Sequence, residues 1–183
     1  LAIAIRSERH RLPQPANIIA FSQPDCVQDF LSNEVSEHCV RADRVRGPFT
    51  VDIVTDLRCM GLPSCSYDWI LCCHVLEHIA ELNLCLREIV RILRPGGIAL
   101  IQVPIEPGLE TSRRIKIDPL RAHAHAWQFG LDFGNLLHQP EWTVEEHTWS
   151  DVVTATQARK FGIAADERFW QLTRKMAHCA HNR

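Results

Sequence analysis

His74, Glu77 and His78 stand in the spacing H-x-x-E-H. On a helix the two histidines would share one face and could hold a metal ion beside an acid-base glutamate, the chemistry of zinc-assisted hydrolysis. The residues just before them argue against such a helix. Trp69 to Cys73 (WILCC) is a continuous apolar run of strand length. Neither Glu145 nor Glu146, the candidates for a third ligand, is supported by its strand-like surroundings, so a zinc hydrolase using His74, Glu77 and His78 is a minor alternative and no metal set is assigned. By position the same residues suggest different chemistry. His74 is the first polar residue after a buried strand, where an imidazole can face a crevice as an acid-base group, while Glu77 is expected to satisfy backbone donors at the start of the next helix. His123 and His125 alternate with alanines in a later loop, which makes His125 the second candidate for proton transfer.

Asp43 and Asp56 form the other chemical pair. Each follows a short apolar stretch, His38 to Ala42 and Val51 to Thr55, and each taken singly could be a turn residue. In open α/β sheets, however, ligands bind at the carboxyl ends of the strands where the strand order reverses, and a carboxylate there can accept hydrogen bonds from ribose hydroxyls or an adenine amino group. Asp52 lies inside its expected strand and reads as a solvated or edge position.

The elements that position these groups are legible around residues 67–104. A buried strand, a polar turn carrying His74 to His78, an amphipathic helix from Leu82, a Pro95-Gly96-Gly97 stop and a second apolar strand from Ile98 to Val103 make one strand-helix-strand unit. Leu82, Cys85, Leu86, Ile89, Val90 and Leu93 share the apolar face of that helix. Upstream, residues 1–16 read as a lead-in, Asn17 to Ala20 as a strand, Phe21 to Asp25 as a turn and Cys26 to Leu31 as the first helix. Downstream, residues 105–126 are polar and strand-poor, as a lid or substrate loop would be. Trp127 to His138 is compatible with a helix that Gly130 and Gly134 weaken, and Glu141 to Trp149 alternates as a strand whose antiparallel partner is Arg168 to Arg174. Trp127, Trp142, Trp149 and Trp170 are expected in the core, because no basic stripe accompanies them.

The 183 residues fit a single domain, residues 1–183, able to bury a core unaided. With a net charge of -2 and no block of Lys and Arg, neither nucleic acid nor an anionic membrane is an expected partner, and a small molecule is. No apolar run reaches membrane-spanning length, and LAIAI at the start is too short for a signal-peptide core. The eight cysteines contain no C-x-x-C pair and several sit in apolar runs, which points to free thiols, a reducing compartment and hence the cytoplasm.

As an ordered set, Asp56-Leu57, Leu62-Pro63, Tyr67-Asp68, His74 to Ile79 (HVLEHI), Leu93 to Gly97 (LRPGG) and Pro104 resemble the class I S-adenosylmethionine-dependent methyltransferases, especially the type-11 branch. The resemblance implies an α/β, Rossmann-like fold with a mostly parallel seven-stranded sheet and an antiparallel C-terminal strand pair. It also implies S-adenosylmethionine as cofactor and methyl transfer to a small-molecule acceptor. Asp43 would hold the ribose, Asp56 and the Leu57 amide the adenine, and Cys73 and His74 would border the methionine end. The family's glycine-rich loop falls at Phe21, Ser22, Gln23, Pro24 and Asp25, where this chain has no glycine. Glycines there let the backbone approach the cofactor, so a catalytically inactive binding or scaffold module is the alternative.

Overall fold

Apolar runs too short for helices become strands. The computed structural model describes residues 10, 13–22, 25–36, 38–47, 50–116, 124–151, 153–161 and 167–176; Gln23, Pro24, His123 and the side chain of Trp149 lie outside this set. The strands are β1 (Ile18–Phe21), β2 (Cys39–Asp43), β3 (Ile53–Val54), β4 (Tyr67–Cys73), β5 (Leu93–Gln102), β6 (Arg113–Arg114), β7 (Trp127–Gln128), β8 (Trp142–Thr148) and β9 (Arg168–Arg174). The helices are α1 (Asp25–Phe30), continued by a π-helical turn Leu31–Val35, then α2 (Leu82–Ile92), α3 (Phe133–Leu136) and α4 (Ala155–Phe161).

Seven strands join in the order β3-β2-β1-β4-β5-β9-β8, parallel from β3 to β5, with β9 antiparallel to both β5 and β8. This is the α/β, Rossmann-like arrangement expected. The chain runs outward through β1, β2 and β3, then returns to place β4 on the other side of β1. The reversal lies between β1 and β4.

Alternation along the strands sends side chains to two cores. Ile19, Phe21, Ile70, Cys72, Ala99, Ile101, Trp170 and Leu172 meet the buried face of α2, contributed by Leu82, Cys85, Leu86, Ile89 and Ile92. Burying each large aliphatic residue of that face stabilises the fold by about 1.5–3 kcal/mol. Ile18, Ala20, Trp69, Leu71, Ile98, Leu100 and Phe169 pack on the opposite side with Leu31, Val35 and Val153. Trp142 and Trp170 are core residues as expected, and Trp127 is partly buried.

Several boundaries differ from the sequence reading. Leu93 is extended rather than helical, and β5 already starts there, with an irregular register between the Tyr67/Leu93 and Trp69/Ile98 pairs that takes up Pro95, Gly96 and Gly97. Gly97 has no room for a side chain, since a Cβ would lie 2.9 Å from the Arg94 and Asp68 carbonyl oxygens. The strand at residues 51–55 contracts to Ile53–Val54, and Asp52 lies outside it, its carboxylate gripped by Arg41 at 2.7 and 2.9 Å. Residues 127–138 do not form one helix. Trp127–Gln128 pairs with Arg113–Arg114, and only Phe133–Leu136 is helical. Gly130 explains the break: a Cβ there would come within 2.5 Å of the Leu109 carbonyl oxygen, so the backbone of one loop crosses the other.

Among the described residues, Cys39, Cys59, Cys72, Cys73 and Cys85 are outside any disulfide, whereas Cys65 is disulfide-bonded. Among the described residues, no helix is long and apolar enough to cross a membrane.

Candidate active site

The carboxyl ends of the central strands are level with one another. Phe21 is in register with Ala42 on one side and Cys72 on the other, Asp43 with Val54, and Cys73 with Gln102. Phe21, Ser22, Asp43, Cys73 and His74 are thereby gathered at the reversal point.

The glycine-free turn keeps a glycine-like backbone. Ser22 has φ +51°, in the left-handed region, and its N–H donates to the Ala42 carbonyl at 3.0 Å. Its hydroxyl donates to Asp43 Oδ2 at 2.9 Å, while Oδ1 of Asp43 accepts the Arg44 N–H at 2.6 Å. Each carboxylate oxygen has two lone pairs, so Asp43 retains acceptor capacity for a ligand's hydroxyls. The Asp43 carboxylate and the left-handed turn thus fit the ribose end of a nucleoside cofactor.

Asp56, expected at the adenine, is paired with a neighbouring arginine. Both its oxygens are engaged by Arg58, at 2.9 Å to Nε and 2.7 Å to the terminal guanidinium nitrogen, and this pairing holds the carboxyl at about 2. Arg58 also pairs with Glu81 at 2.9 Å. Leu57 is buried beneath, in the core that contains Phe21 and Met60. Cys73 is buried as well, and burial pushes its thiol up to about 12, so it lines the crevice as a neutral group.

His74 also takes a left-handed backbone, φ +56°, with its N–H on the Gln102 carbonyl at 2.9 Å. Such a conformation in a non-glycine residue is costly and concentrates at functional sites. Its side chain is 59% exposed, and Nδ1 lies 3.5 Å from Glu77 Oε1; that contact raises the imidazole pKa against the opposing effect of burial.

Glu77 departs from the sequence expectation. Leu76–His78 is a single 3-10 turn rather than the start of α2, and the Glu77 side chain does not satisfy backbone donors. It is 2% exposed, its Oε1 faces His74 and His78, and its Oε2 has no hydrogen-bond partner among the described residues. A buried unsatisfied acceptor of this kind costs about 1–3 kcal/mol, more when charged. Its cover comes from far along the chain. The Ala126 N–H donates to the Glu77 carbonyl at 2.7 Å, Trp127 Nε1 donates to the Ile79 carbonyl at 3.1 Å, and His78 Nδ1 lies 3.4 Å from the Ala124 carbonyl. The segment so fastened sets His125 against His78, ring centroids 4.8 Å apart and edge-on. His125 therefore joins Glu77 and His78, a cluster the sequence reading missed. The only signal for it was the alternation at His123 and His125.

Glu145 and Glu146 stand away from this cluster, on β8 at the sheet edge. Glu146 accepts from Trp170 Nε1 at 3.2 Å and pairs with Arg168, and Glu145 lies 3.8 Å from His147.

The sheet order, the reversal between β1 and β4 and the antiparallel β9 define the Rossmann-like fold of the class I methyltransferases. Residues 22–101 match the family model described as a methyltransferase domain, and the resemblance to class I S-adenosylmethionine-dependent methyltransferases read from the sequence holds. Similar solved structures agree on the fold. One is 1,6-didemethyltoxoflavin-N1-methyltransferase of Burkholderia thailandensis, solved with 1,6-didemethyltoxoflavin and S-adenosylhomocysteine; it is 17% identical, the match covers 96% of this chain and 77% of that one, and the TM-score is 0.65. A second is an S-adenosylmethionine-dependent methyltransferase of Mesorhizobium loti, 15% identical over 94% and 98% of the two chains, with a TM-score of 0.65. A third is a methyltransferase of the same dependence from Archaeoglobus fulgidus, 12% identical over 95% and 92%, with a TM-score of 0.62. No curated protein matches the sequence.

Proposed function

We propose that the chain binds S-adenosylmethionine at the carboxyl ends of β1, β2 and β4 and transfers its methyl group to a small-molecule acceptor. The observation that carries this reading is the Ser22-Asp43 pair: at the fold's cofactor position the chain has no glycine, yet it adopts the left-handed backbone and presents a carboxylate. That favours a working crevice over an inactive scaffold. The bound cofactor supplies an electrophilic methyl on its sulfonium, so the protein's part is proximity and alignment. Asp43 accepts the ribose hydroxyls with Phe21 and Ser22 beside it, and Gln23 and Pro24, next in the sequence, are kept as cofactor-binding candidates. Asp56 and the Leu57 amide are assigned to the adenine. Cys73 and His74 border the methionine end.

His74 is the acid-base candidate, because its ring is exposed at the rim and steered by Glu77; an acceptor proton would pass to its imidazole. His125 is the second candidate. A small acceptor is consistent with the net charge of -2 and with the Burkholderia relative. Among the described residues, the thiols of Cys59, Cys72, Cys73 and Cys85 support a reducing, cytoplasmic setting, and the Cys65 disulfide speaks against it.

The test is transfer of label from methyl-labelled S-adenosylmethionine to a panel of hydroxy, amino and heteroaromatic acceptors. Label in one small molecule, reduced in His74→Ala, supports the reading. Undiminished turnover in His74→Ala removes the base assignment, and a folded chain that binds no cofactor overturns the whole.

A further inference from the structure

We propose that Glu77, His78 and His125 form a binding site for one divalent transition-metal ion of the zinc type. Three observations converge. One ligand atom from each residue lies within 4.8 Å of the other two. The Glu77 carboxylate is 2% exposed, its Oε1 lies 4.0 Å from His78 Nε2, and its Oε2 has no hydrogen-bond partner among the described residues. The histidines are also held from behind. His78 presents Nδ1 to the Ala124 carbonyl and turns Nε2 toward Glu77, 4.0 Å from Oε1, which is the outer hydrogen-bonding pattern of a metal-bound imidazole. His125 is flanked by Ala124 and Ala126, both hydrogen-bonded to residues 77–78.

Two imidazoles and a carboxylate suit zinc and its neighbours better than magnesium or calcium, which prefer all-oxygen shells. Metal-ligand bonds of about 2.0–2.2 Å require the separations to contract by about 1 Å, which the exposed His125 can supply. This differs from the hydrolase pattern considered from sequence. His74 is outside the set, and the third ligand comes from 47 positions beyond His78. Three protein ligands leave a coordination position at the crevice rim. On the methyl-transfer reading, that position takes an acceptor through an ionisable oxygen, a hydroxyl or carboxylate.

The full chain, stripped with a chelator and dialysed, is titrated calorimetrically with zinc chloride, and folding is checked by circular dichroism. One equivalent should bind. His125→Ala, an exposed position that should leave folding intact, should weaken binding by at least the roughly ten- to hundred-fold that loss of a supporting hydrogen bond alone costs. Glu77→Gln should do likewise, and His138→Ala, an exposed histidine elsewhere, should not. No binding by the folded wild type, or equal affinity in wild type and His125→Ala, overturns the site. S-adenosylhomocysteine binding by the same samples reports on the cofactor crevice separately.

Discussion

Replacing Ser22 separates the two roles this residue plays in the first turn. Its φ of +51° costs an L-residue about 1–2 kcal/mol, a strain that glycine does not feel, though glycine gives back about 0.4–1 kcal/mol through its freer unfolded chain. Its hydroxyl also makes a 2.9 Å hydrogen bond to the Asp43 carboxylate. A bond to a charged partner contributes about 1.5–3 kcal/mol, and the lower end applies here because both residues are half-buried. Ser22→Ala keeps the strain and loses the bond, so it should destabilise by about 1.5 kcal/mol. Ser22→Gly loses the bond but sheds the strain, and should be less destabilised than the alanine variant by about 0.5–1 kcal/mol. The order of stability is therefore wild type, then Ser22→Gly, then Ser22→Ala. Urea unfolding followed by circular dichroism measures it. If Ser22→Gly is no more stable than Ser22→Ala, the left-handed turn is not a built feature and the functional reading of it fails.

Other outcomes follow from the same geometry. Gly130→Ala should destabilise the protein by about 1–3 kcal/mol in the same unfolding assay, because its Cβ would press on the backbone of residues 109–111. Asp56 is held at about 2 in the fold by Arg58 against 3.8 ordinarily, so its pairing stabilises above pH 3.8 and is lost as pH falls through 2. The stability gap between wild type and Arg58→Met should thus hold from neutral pH to about 4 and close below it, and it should be small because the pair is largely solvated. Native-state alkylation at mild alkaline pH, read by peptide mass spectrometry, should label the exposed Cys59 before Cys72, Cys73 or Cys85, whose thiols burial holds protonated.

Most of the sheet could be read from the sequence because its signals are local. Trp69 to Cys73 and Ile98 to Val103 are apolar on both faces, and Glu141 to Trp149 alternates, so the strands declared themselves within a few residues. The helix from Leu82 did so through the spacing of its buried face. Asp43 and His74 were legible for the same reason: each is simply the residue at or just beyond a strand's carboxyl end. What failed depends on contacts between distant segments. Trp127 to His138 carries a helix-compatible pattern, yet Gly130 is there to let the chain pass the backbone of residues 109–111. Glu77 resembles a helix-start carboxylate until the strand at Trp127 and the fastenings at Ala124 and Ala126 close over it. The Asp56-Arg58 pair is two residues apart and was visible in principle, but nothing in the spacing says that both oxygens turn back onto the arginine.

On the proposed function, the carboxyl ends of β1, β2 and β4 hold S-adenosylmethionine through Asp43. The direct measurement is calorimetric titration of wild type and Asp43→Ala with S-adenosylhomocysteine. The wild type should bind one equivalent, and the variant should bind about 10- to 100-fold more weakly, the loss expected when a charged acceptor of hydroxyl donors is removed. Absence of heat and of a thermal shift in a folded wild-type sample, or equal affinity in the two proteins, would contradict it.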